Sequence, residues 1–328
     1  MTLSIVQPTI TERGLFMGAD KRIINPAAKV GNSISDCNTV EEAIAFAGLD
    51  WEVETQPLIT PTGLMVPNQA VIRTDNGSCV GVVGASYKPV QNREVFSFFN
   101  DFIASGEAKF ETAGSIGGGK KVFVQAKIQA DPIDITGRGD SVSNYIMLGT
   151  SHDGSLSVQG GFFPIRLMCA NQMSTLTNRA VGQMIRFKHT TKVQENLEQV
   201  AAIMDLANRE FVATAEQFKF LASRSSLTEE KLKEYIKVVF VGDNWAKKEI
   251  EKDKEVSARV VNQVLELYES GRGAAETADG YWKAYNAVNE YICHERGSDD
   301  QKRLESVSFG VGAKLNQRAL EVALRLAA

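Results

Sequence analysis

The spacing of apolar residues changes from strand-like to helix-like along the chain. Apolar residues flank Asn76-Gly77, a pair typical of tight β-hairpins, and residues 109–128 and 144–169 each contain two strand-like patterns around a glycine turn. From residue 191 onward, apolar residues recur at intervals of three and four, which is the period of an amphipathic helix. The pattern predicts an α+β fold with an antiparallel β-meander sheet and covering helices, followed by a mostly α-helical C-terminal half.

Changes in this pattern divide the chain into three predicted regions. Residues 1–38 carry scattered proline and glycine without clean periodicity, which predicts an N-terminal arm. Residues 39–190 form the predicted α+β sheet domain, and its first helix begins with a capping box. Residues 191–328 form a helical region that packs on this domain or extends from it. Another helix is predicted to begin between Ala170 and Gln172, directly after the last strand.

Composition indicates a soluble globular protein. The chain has 328 residues, of which 43% are hydrophobic and 23% charged, and this balance is ordinary for a folded domain. No apolar run approaches the roughly 20 residues that span a bilayer, and the N-terminus lacks the basic and apolar segments of a secretion signal. We therefore expect a cytoplasmic protein without a membrane partner.

The middle of the chain is basic, although the net charge is −4. Residues 154–192, the acid-free span, contain five basic residues and no Asp or Glu. Within it Phe187 stands between Arg186 and Lys188, the basic and aromatic interleaving of single-strand binding surfaces. The alternative is that these side chains cap helices, pair with acids of the helical half and pack. The candidate nucleic-acid contacts of the chain are Lys120, Lys121, Arg166, Asn171, Arg179, Arg186, Phe187, Lys188 and Lys192.

Two of these candidates follow a glycine-rich turn, and a third lies on a strand. The segment GSIGGGKK is not a phosphate-binding P-loop, because strand residues and not a helix follow Lys121. It is interpreted either as a flexible hairpin tip or as a tip whose Lys120, Lys121 and backbone amides contact a phosphate backbone. Arg166 is expected on the outward face of its strand, opposite to Ile165.

The three histidines and their neighbours are candidates for chemistry. Ser151, His152 and Asp153 are adjacent, but successive strand side chains point to opposite faces, so they are not expected to form a serine-hydrolase triad. The four cysteines form no CxxC pair, which argues against a zinc ribbon and indicates reduced thiols. A composite site that binds a divalent metal is one hypothesis, and a set of separate, hydrogen-bonded buried residues is the other. The candidates are His152, Asp153, Cys169, His189 and His294.

Several pieces of the chain together resemble a known family. They are, in order, EEAIAFAGLDWEVE, GVVGASYKPVQNREVFSFF, ETAGSIGGGKKVFVQAKI, TSHDGS, FFPIRLMCANQ, RFKHTTK, AYNAVNEYICHER and FGVGAKLNQRALE. The sequence resembles the phage- and plasmid-encoded family called domain of unknown function 932, from about residue 40 to the C-terminus. The resemblance implies a mobile-element setting and attaches no activity. Its motifs match Ser151, His152, Asp153, Gly154, Arg166, Cys169, Asn171, Lys188, His189, Thr190, Tyr285, Asn286 and His294.

Three functions compete on this basis. The leading hypothesis is a non-enzymatic protein without a cofactor that binds or anneals single-stranded DNA in replication or recombination, as a homo-oligomer. A strand meander followed by a helix is also the shape of ring-forming strand-annealing proteins, a likeness of architecture alone. The second hypothesis is a metal-dependent or histidine-dependent enzyme that acts on nucleic acid or nucleotides. The third is an interaction protein that blocks a host defence or regulator.

Overall fold

The computed structural model describes residues 24–173, 197–241 and 256–328. Most of the predicted N-terminal arm, residues 1–23, lies outside these ranges. The rest of that arm is part of the sheet domain, because a short helix, α1 (Pro26–Val30), leads into a strand, β1 (Asn32–Ser33), that pairs with the main sheet.

The main sheet is an antiparallel meander, as predicted. Its strands lie in the order β1-β5-β6-β8-β9-β10, with β7 paired to β8 at one end, and every pairing is antiparallel. The bounds are β5 (Ala108–Ile116), β6 (Lys121–Ile128), β7 (Ile133–Asp134), β8 (Ser141–Ser151), β9 (Gln159–Arg166) and β10 (Asn171–Gln172). The predicted α+β fold with an antiparallel meander is confirmed.

A second, smaller sheet contains the hairpin predicted at Asn76-Gly77. It consists of β2 (Val53–Ile59), β3 (Met65–Arg73) and β4 (Cys79–Gly84), in that order. Gly77 adopts a φ of 70°, a region that a residue without Cβ enters at little cost. The Asn76 side chain accepts a hydrogen bond from the backbone N–H of Ser78, which closes the turn.

The described ranges after β10 are helical, in agreement with the predicted helical C-terminal half, and four short helices precede or separate the strands. The capping box predicted at Thr39 is present, since its hydroxyl accepts from the Glu42 N–H and the Glu42 carboxylate accepts from the Thr39 N–H. No helix of the described ranges is long and apolar enough to cross a membrane. The helices are α2 (Val40–Ala47), α3 (Asn92–Ser97), α4 (Asn100–Ala104), α5 (Leu197–Ala222), α6 (Glu229–Val241), α7 (Ala258–Ser270), α8 (Tyr281–Glu290), a π-helical turn (Tyr291–Glu295), α9 (Asp300–Phe309) and α10 (Val311–Ala327).

Both faces of the main sheet are covered, because strand side chains alternate between two apolar layers. On one face, Phe123 and Tyr145 pack with Ala27 of α1 and Leu304 of α9. The other face joins the larger core, which includes the aromatic residues of α3 and α4 and the C-terminal helices. A polar side chain on either face of a central strand is therefore buried unless it lies near a strand end.

The prediction that a helix begins between Ala170 and Gln172 is wrong. The chain turns back after β9, and β10 pairs with its end through Asn171 opposite Arg166. Ala170 makes this turn with a φ of 53°, a conformation that residues other than glycine rarely adopt. The polar residues after Cys169 thus extend the sheet by a tight hairpin.

Candidate functional site

The Ser151-His152-Asp153 segment forms a turn and no catalytic triad. The Ser151 hydroxyl donates to the backbone oxygen of Leu156 at 3.0 Å, whereas the His152 Nε2 bonds to the side-chain oxygen of Asn92 at 3.0 Å. His152 is fully buried, and its ring packs edge-on against Trp51 with the ring centres 5.3 Å apart. Because the hydroxyl and the imidazole have separate partners, no relay connects them, as strand geometry predicted.

Burial sets the charge of His152. Loss of solvent lowers its pKa to about 4, the nearby Asp153 carboxylate opposes this shift, and Arg73 adds to it. The imidazole is therefore neutral at pH 7. Its Nδ1 is buried and finds no hydrogen-bond partner among the described residues. A neutral, fully buried ring of this kind holds Asn92 in place and is not accessible to a large substrate.

The small sheet docks on this turn. A Cβ atom at Gly81 of β4 would collide with the Cα of Asp153, so only glycine permits this approach. The Tyr87 hydroxyl donates to the backbone oxygen of Ser151 at 2.9 Å. Burial alone would raise the pKa of Asp153, but hydrogen bonds from Ser155 keep it below its ordinary value. The family motif at this turn therefore joins the two sheets.

Arg166 lies in the core, so the expectation that it occupies an exposed outward face is wrong. Trp282 of α8 lies close to its guanidinium, with the ring centre 5.6 Å from the Arg166 Cζ, and the residue is 1% exposed. Its guanidinium makes two bonds to the Asp140 carboxylate, of 2.7 and 2.8 Å, and one of 2.7 Å to the Thr277 hydroxyl. The Trp282 indole N–H donates to the same carboxylate at 2.8 Å. No phosphate can reach the guanidinium in this arrangement.

The charge of Arg166 is nevertheless retained. Burial disfavours the charged guanidinium, but the Asp140 carboxylate, through its hydrogen bonds and its charge, holds the pKa of Arg166 above its ordinary value. The Cys169 thiol lies 3.8 Å from the guanidinium, and burial raises the pKa of this thiol. Cys169 is therefore a protonated, buried thiol and not a reactive thiolate.

Asn171 and His294 form a second part of this buried network. The Asn171 amide donates to the backbone oxygen of Asn286 at 3.4 Å, and its oxygen lies 3.0 Å from His294 Nε2. His294 Nδ1 faces the Lys29 ammonium at 3.4 Å. An ammonium only donates, so Nδ1 accepts and Nε2 carries the proton that it donates to Asn171. Burial, followed by the charges of Arg272 and Lys29, holds the pKa of His294 well below its ordinary value.

Helix α8, the π-helical turn and α10 each direct a further group at the β9–β10 hairpin. The backbone oxygen of Gln172 accepts hydrogen bonds from Asn289, Asn316 and Cys293, at 3.2, 3.1 and 3.2 Å. The matched family residues Arg166, Cys169, Asn171, Asn286 and His294 thus belong to one buried network. It connects the last hairpin of the sheet to α8 and the helical half. Most polar groups of the network are hydrogen-bonded, whereas the side-chain oxygens of Asn286 and Asn316 have no partner within the described residues. Buried hydrogen bonds of this kind favour one specific packing.

The predicted composite site is not assembled. The candidates lie at opposite ends of β8. His152 and Asp153 directly follow the last residue of this strand. Arg166, which precedes the Cys169 turn, pairs with Val142 at the start of the strand. Nine strand residues separate these ends, which corresponds to about 30 Å. The predicted His189 lies outside the described residues. Across the described ranges, no group of three or more His, Cys, Asp or Glu residues is arranged to hold a metal ion.

The glycine-lysine turn lies beside a cationic groove, which we call the hairpin groove. It has a volume of about 420 Å³ and is lined by Lys121, Ser155, Leu156, Arg296, Lys302, Glu305, Ser306, Phe309, Gly310 and Val311. The Lys302 side chain is 71% exposed, and that of Lys121 pairs with Glu305 at 2.9 Å. The Gly117 N–H donates to the Gln301 side chain at 3.1 Å, which ties the turn to α9. Lys120 is exposed next to the groove.

Two groove cations were not predicted as contacts. Arg296 and Lys302 belong to the helical half, far in sequence from the acid-free span and from the glycine-lysine turn. The Arg296 guanidinium donates to the Ser306 hydroxyl at 3.1 Å, so it is held at the wall of the groove. The remaining predicted contacts Arg179, Arg186, Phe187, Lys188 and Lys192 lie outside the described residues.

Comparison with known protein families places most of the chain in one family. A family model described as a domain of unknown function matches residues 79–317, which is most of the chain. The chain belongs to the family called domain of unknown function 932. The match includes the hairpin groove up to α10 as well as the buried network around Arg166 and His294. A comparison with curated proteins and a comparison with solved structures each find no match.

Proposed function

We propose that this member of the domain of unknown function 932 family is a nucleic-acid-handling protein of a phage or plasmid. It binds or anneals single-stranded DNA in replication or recombination, and it acts as a homo-oligomer. The observation that carries this proposal is the hairpin groove, where cations from two distant parts of the chain line one surface.

The charges of the groove favour a phosphate-bearing strand. Lys121, Arg296 and Lys302 line it, and Lys120, next to Lys121 in sequence, is a further exposed cation. Two carboxylates offset part of this charge, since Glu305 pairs with Lys121 at 2.9 Å and Asp299 lies 3.5 Å from the Lys302 ammonium. Phosphate contacts by Lys and Arg supply most of the affinity of proteins that bind nucleic acid without sequence preference. The Ser155 and Ser306 hydroxyls add donors of the type that position a backbone.

The N-terminal end of α10 adds to this potential. Gly310 and Val311 line the groove where this 17-residue helix begins, and the N-cap residue, Gly310, has no side chain to cap that end. The first backbone N–H groups of a helix attract anions, and the helix dipole acts in the same direction. The Gly312 N–H is already bonded to Ser306, so the neighbouring amides supply this field together with the side chains.

The set of proposed contacts changes relative to the sequence prediction. Arg166 and Asn171 are buried and hydrogen-bonded, so we no longer propose them as DNA contacts and assign them a role in stabilising the fold. Lys120 and Lys121 remain in it, and Arg296 and Lys302 join them. The rest of the acid-free span supplies four further cations and Phe187, which is suited to stack on a base.

A binding assay with matched charge changes tests this proposal. We expect the purified protein to bind a fluorescently labelled single-stranded oligonucleotide at low salt, measured by anisotropy. Lys120→Ala with Lys302→Ala removes two groove contacts and weakens binding about tenfold, since each exposed contact contributes up to about 1 kcal/mol. The control, Arg209→Ala with Lys233→Ala, removes the same charge from exposed pairs on α5 and α6.

The two possible failures are distinct. Absence of binding by the wild-type protein at low salt contradicts the proposed function. An equal loss of affinity in the groove variant and in the control shows that net charge and not the hairpin groove determines binding, which contradicts the assigned contacts.

A further inference from the structure

Part of the hairpin groove is apolar, and the proposed phosphate contacts do not use it. This part, which we call the apolar wall, consists of Leu156 between β8 and β9, Phe309 at the end of α9 and Val311 at the start of α10. Leu156 and Phe309 are half-buried, and Val311 is 56% exposed. Apolar side chains that stay accessible in a concave surface and are bordered by polar residues are typical of a ligand-binding groove.

Phe309 is held in a fixed position by the main sheet. A Cβ atom at Gly149 of β8 would collide with its ring, so the ring lies directly over the strand backbone. The side chain also packs against the apolar layer that contains Phe123 and Tyr145. An aromatic ring that is already fixed loses little conformational freedom when a second ring packs against it.

The start of α10 is fixed in a similar way. The N–H groups of Gly310 and Gly312 donate to the backbone oxygen and to the hydroxyl of Ser306, both at 3.1 Å. A Cβ atom at Gly312 would come within 2.9 Å of the Ser306 carbonyl group, so α10 begins in close contact with α9. Val311, between these two glycines, is therefore held at the groove by well-ordered hydrogen bonds of the backbone.

The charges beside the apolar wall indicate what covers it. Arg296 and Lys302 line the same groove, and the Lys302 side chain is 71% exposed. A ligand that matches both sets of residues carries an anionic group next to a flat apolar surface. A nucleotide with an unpaired base has this structure, and stacking of bases on aromatic side chains is typical of single-strand recognition without sequence preference. In a duplex the bases are paired and stacked, so they cannot enter the groove.

We propose that an unpaired base of the bound strand enters the hairpin groove and packs against Phe309 and Val311, while its phosphate contacts Lys302 and Arg296. This inference rests on the proposed function and adds a physical basis for the preference for a single strand over a duplex. A base stacked on an aromatic side chain raises affinity about fivefold to a hundredfold, whereas phosphate contacts alone do not depend on the presence of a base.

Two strands with equal numbers of phosphates test this proposal. One is oligothymidylate, and the other is an abasic strand of the same length, which has the sugar-phosphate backbone without bases. We expect the wild-type protein to bind oligothymidylate at least about fivefold more tightly than the abasic strand at low salt. Val311→Ser and Phe309→Leu each reduce this ratio and leave the abasic affinity unchanged. Lys302→Ala weakens the binding of both strands by the same factor, because it removes a phosphate contact.

Controls separate loss of the base contact from loss of the fold. Val212→Ser, on α5 and outside the groove, removes an apolar side chain that is 52% exposed and retains both wild-type affinities. Phe309→Leu keeps an apolar side chain over Gly149, and circular dichroism confirms that each variant is folded. Val311 is exposed, so Val311→Ser tests the proposal even if Phe309→Leu fails to fold.

The possible failures are distinct. Equal wild-type affinity for the two strands overturns the entry of a base and leaves phosphate binding intact, whereas absence of binding to both strands contradicts the proposed function and, with it, this inference. A wild-type ratio in Val311→Ser and in folded Phe309→Leu also overturns the proposal. If Val311→Ser lowers the oligomeric mass in sedimentation without changing the ratio, a second copy of the chain covers the apolar wall, and the proposal is wrong.

Discussion

Replacing Asp140 by asparagine tests whether the buried Arg166 network holds the sheet to the helical half. The Arg166 and Asp140 side chains are 1% and 2% exposed, and their shortest contact is 2.7 Å. Asparagine keeps the shape of the side chain but leaves the guanidinium charge without its carboxylate. Breaking a buried ion pair by removing one charge costs about 3–5 kcal/mol, so we expect Asp140→Asn to lower the free energy of unfolding by that amount.

A second ion pair supplies a matched control. Asp205 and Arg209 on α5 also approach to 2.7 Å, but their side chains are 67% and 69% exposed. Exposed pairs contribute about 0–1 kcal/mol, so Asp205→Asn is expected to change stability by no more than that. Urea unfolding followed by circular dichroism measures both variants against the wild type.

Removal of both charges separates the pair from its packing. We expect Arg166→Met combined with Asp140→Leu to recover part of the stability that Asp140→Asn loses, because no buried charge is then unpaired. A loss below about 1 kcal/mol in Asp140→Asn, similar to that of the exposed control, would refute the claim that this network is an important connection.

Further predictions concern the turn at the end of β8 and the thiols. Because the pKa of His152 is about 4 in the folded state, the unfolded chain binds a proton below pH 6.5 that the folded chain does not. Stability therefore falls by about 3 kcal/mol between pH 6.5 and pH 4, and His152→Gln flattens this part of the profile in urea unfolding. Gly81→Ala forces a Cβ against Asp153 and costs about 1–3 kcal/mol, whereas Gly84→Ala on the same strand meets nothing and is nearly neutral; equal effects would contradict the docking. A thiol reagent modifies Cys79 rapidly in the native protein and the three other, buried cysteines only after unfolding; more than one rapid thiol contradicts this packing.

Local signals explain which parts of the fold could be predicted. The capping box at Thr39 and the Asn76-Gly77 turn act through neighbouring backbone groups, so the sequence identifies them directly. The turn at Ala170 could not be predicted in this way. Its positive φ falls on an alanine, and the polar residues after it are as typical of a helix start as of a short strand.

The candidate site could not be predicted from strand periodicity, because it depends on contacts between elements that are distant in sequence. The alternation of side chains along a strand correctly places Arg166 and Ile165 on opposite faces of the sheet. It does not show that the Arg166 face is buried as well. Likewise, Lys121 and Lys302 line one groove although Lys121 lies in the sheet region and Lys302 lies far along the helical half. The family resemblance added information here, since its motif residues Asn171 and His294 lie 3.0 Å apart in the fold.

The dependence of single-stranded DNA binding on salt tests the central claim most directly. Each phosphate neutralised on a single strand contributes about −0.7 to the slope of log K against log salt concentration. Removing two contacts with Lys120→Ala and Lys302→Ala should therefore make the slope shallower by about 1.4, whereas the Arg209→Ala and Lys233→Ala control should keep the wild-type slope. An unchanged slope in the groove variant would contradict phosphate binding in the hairpin groove.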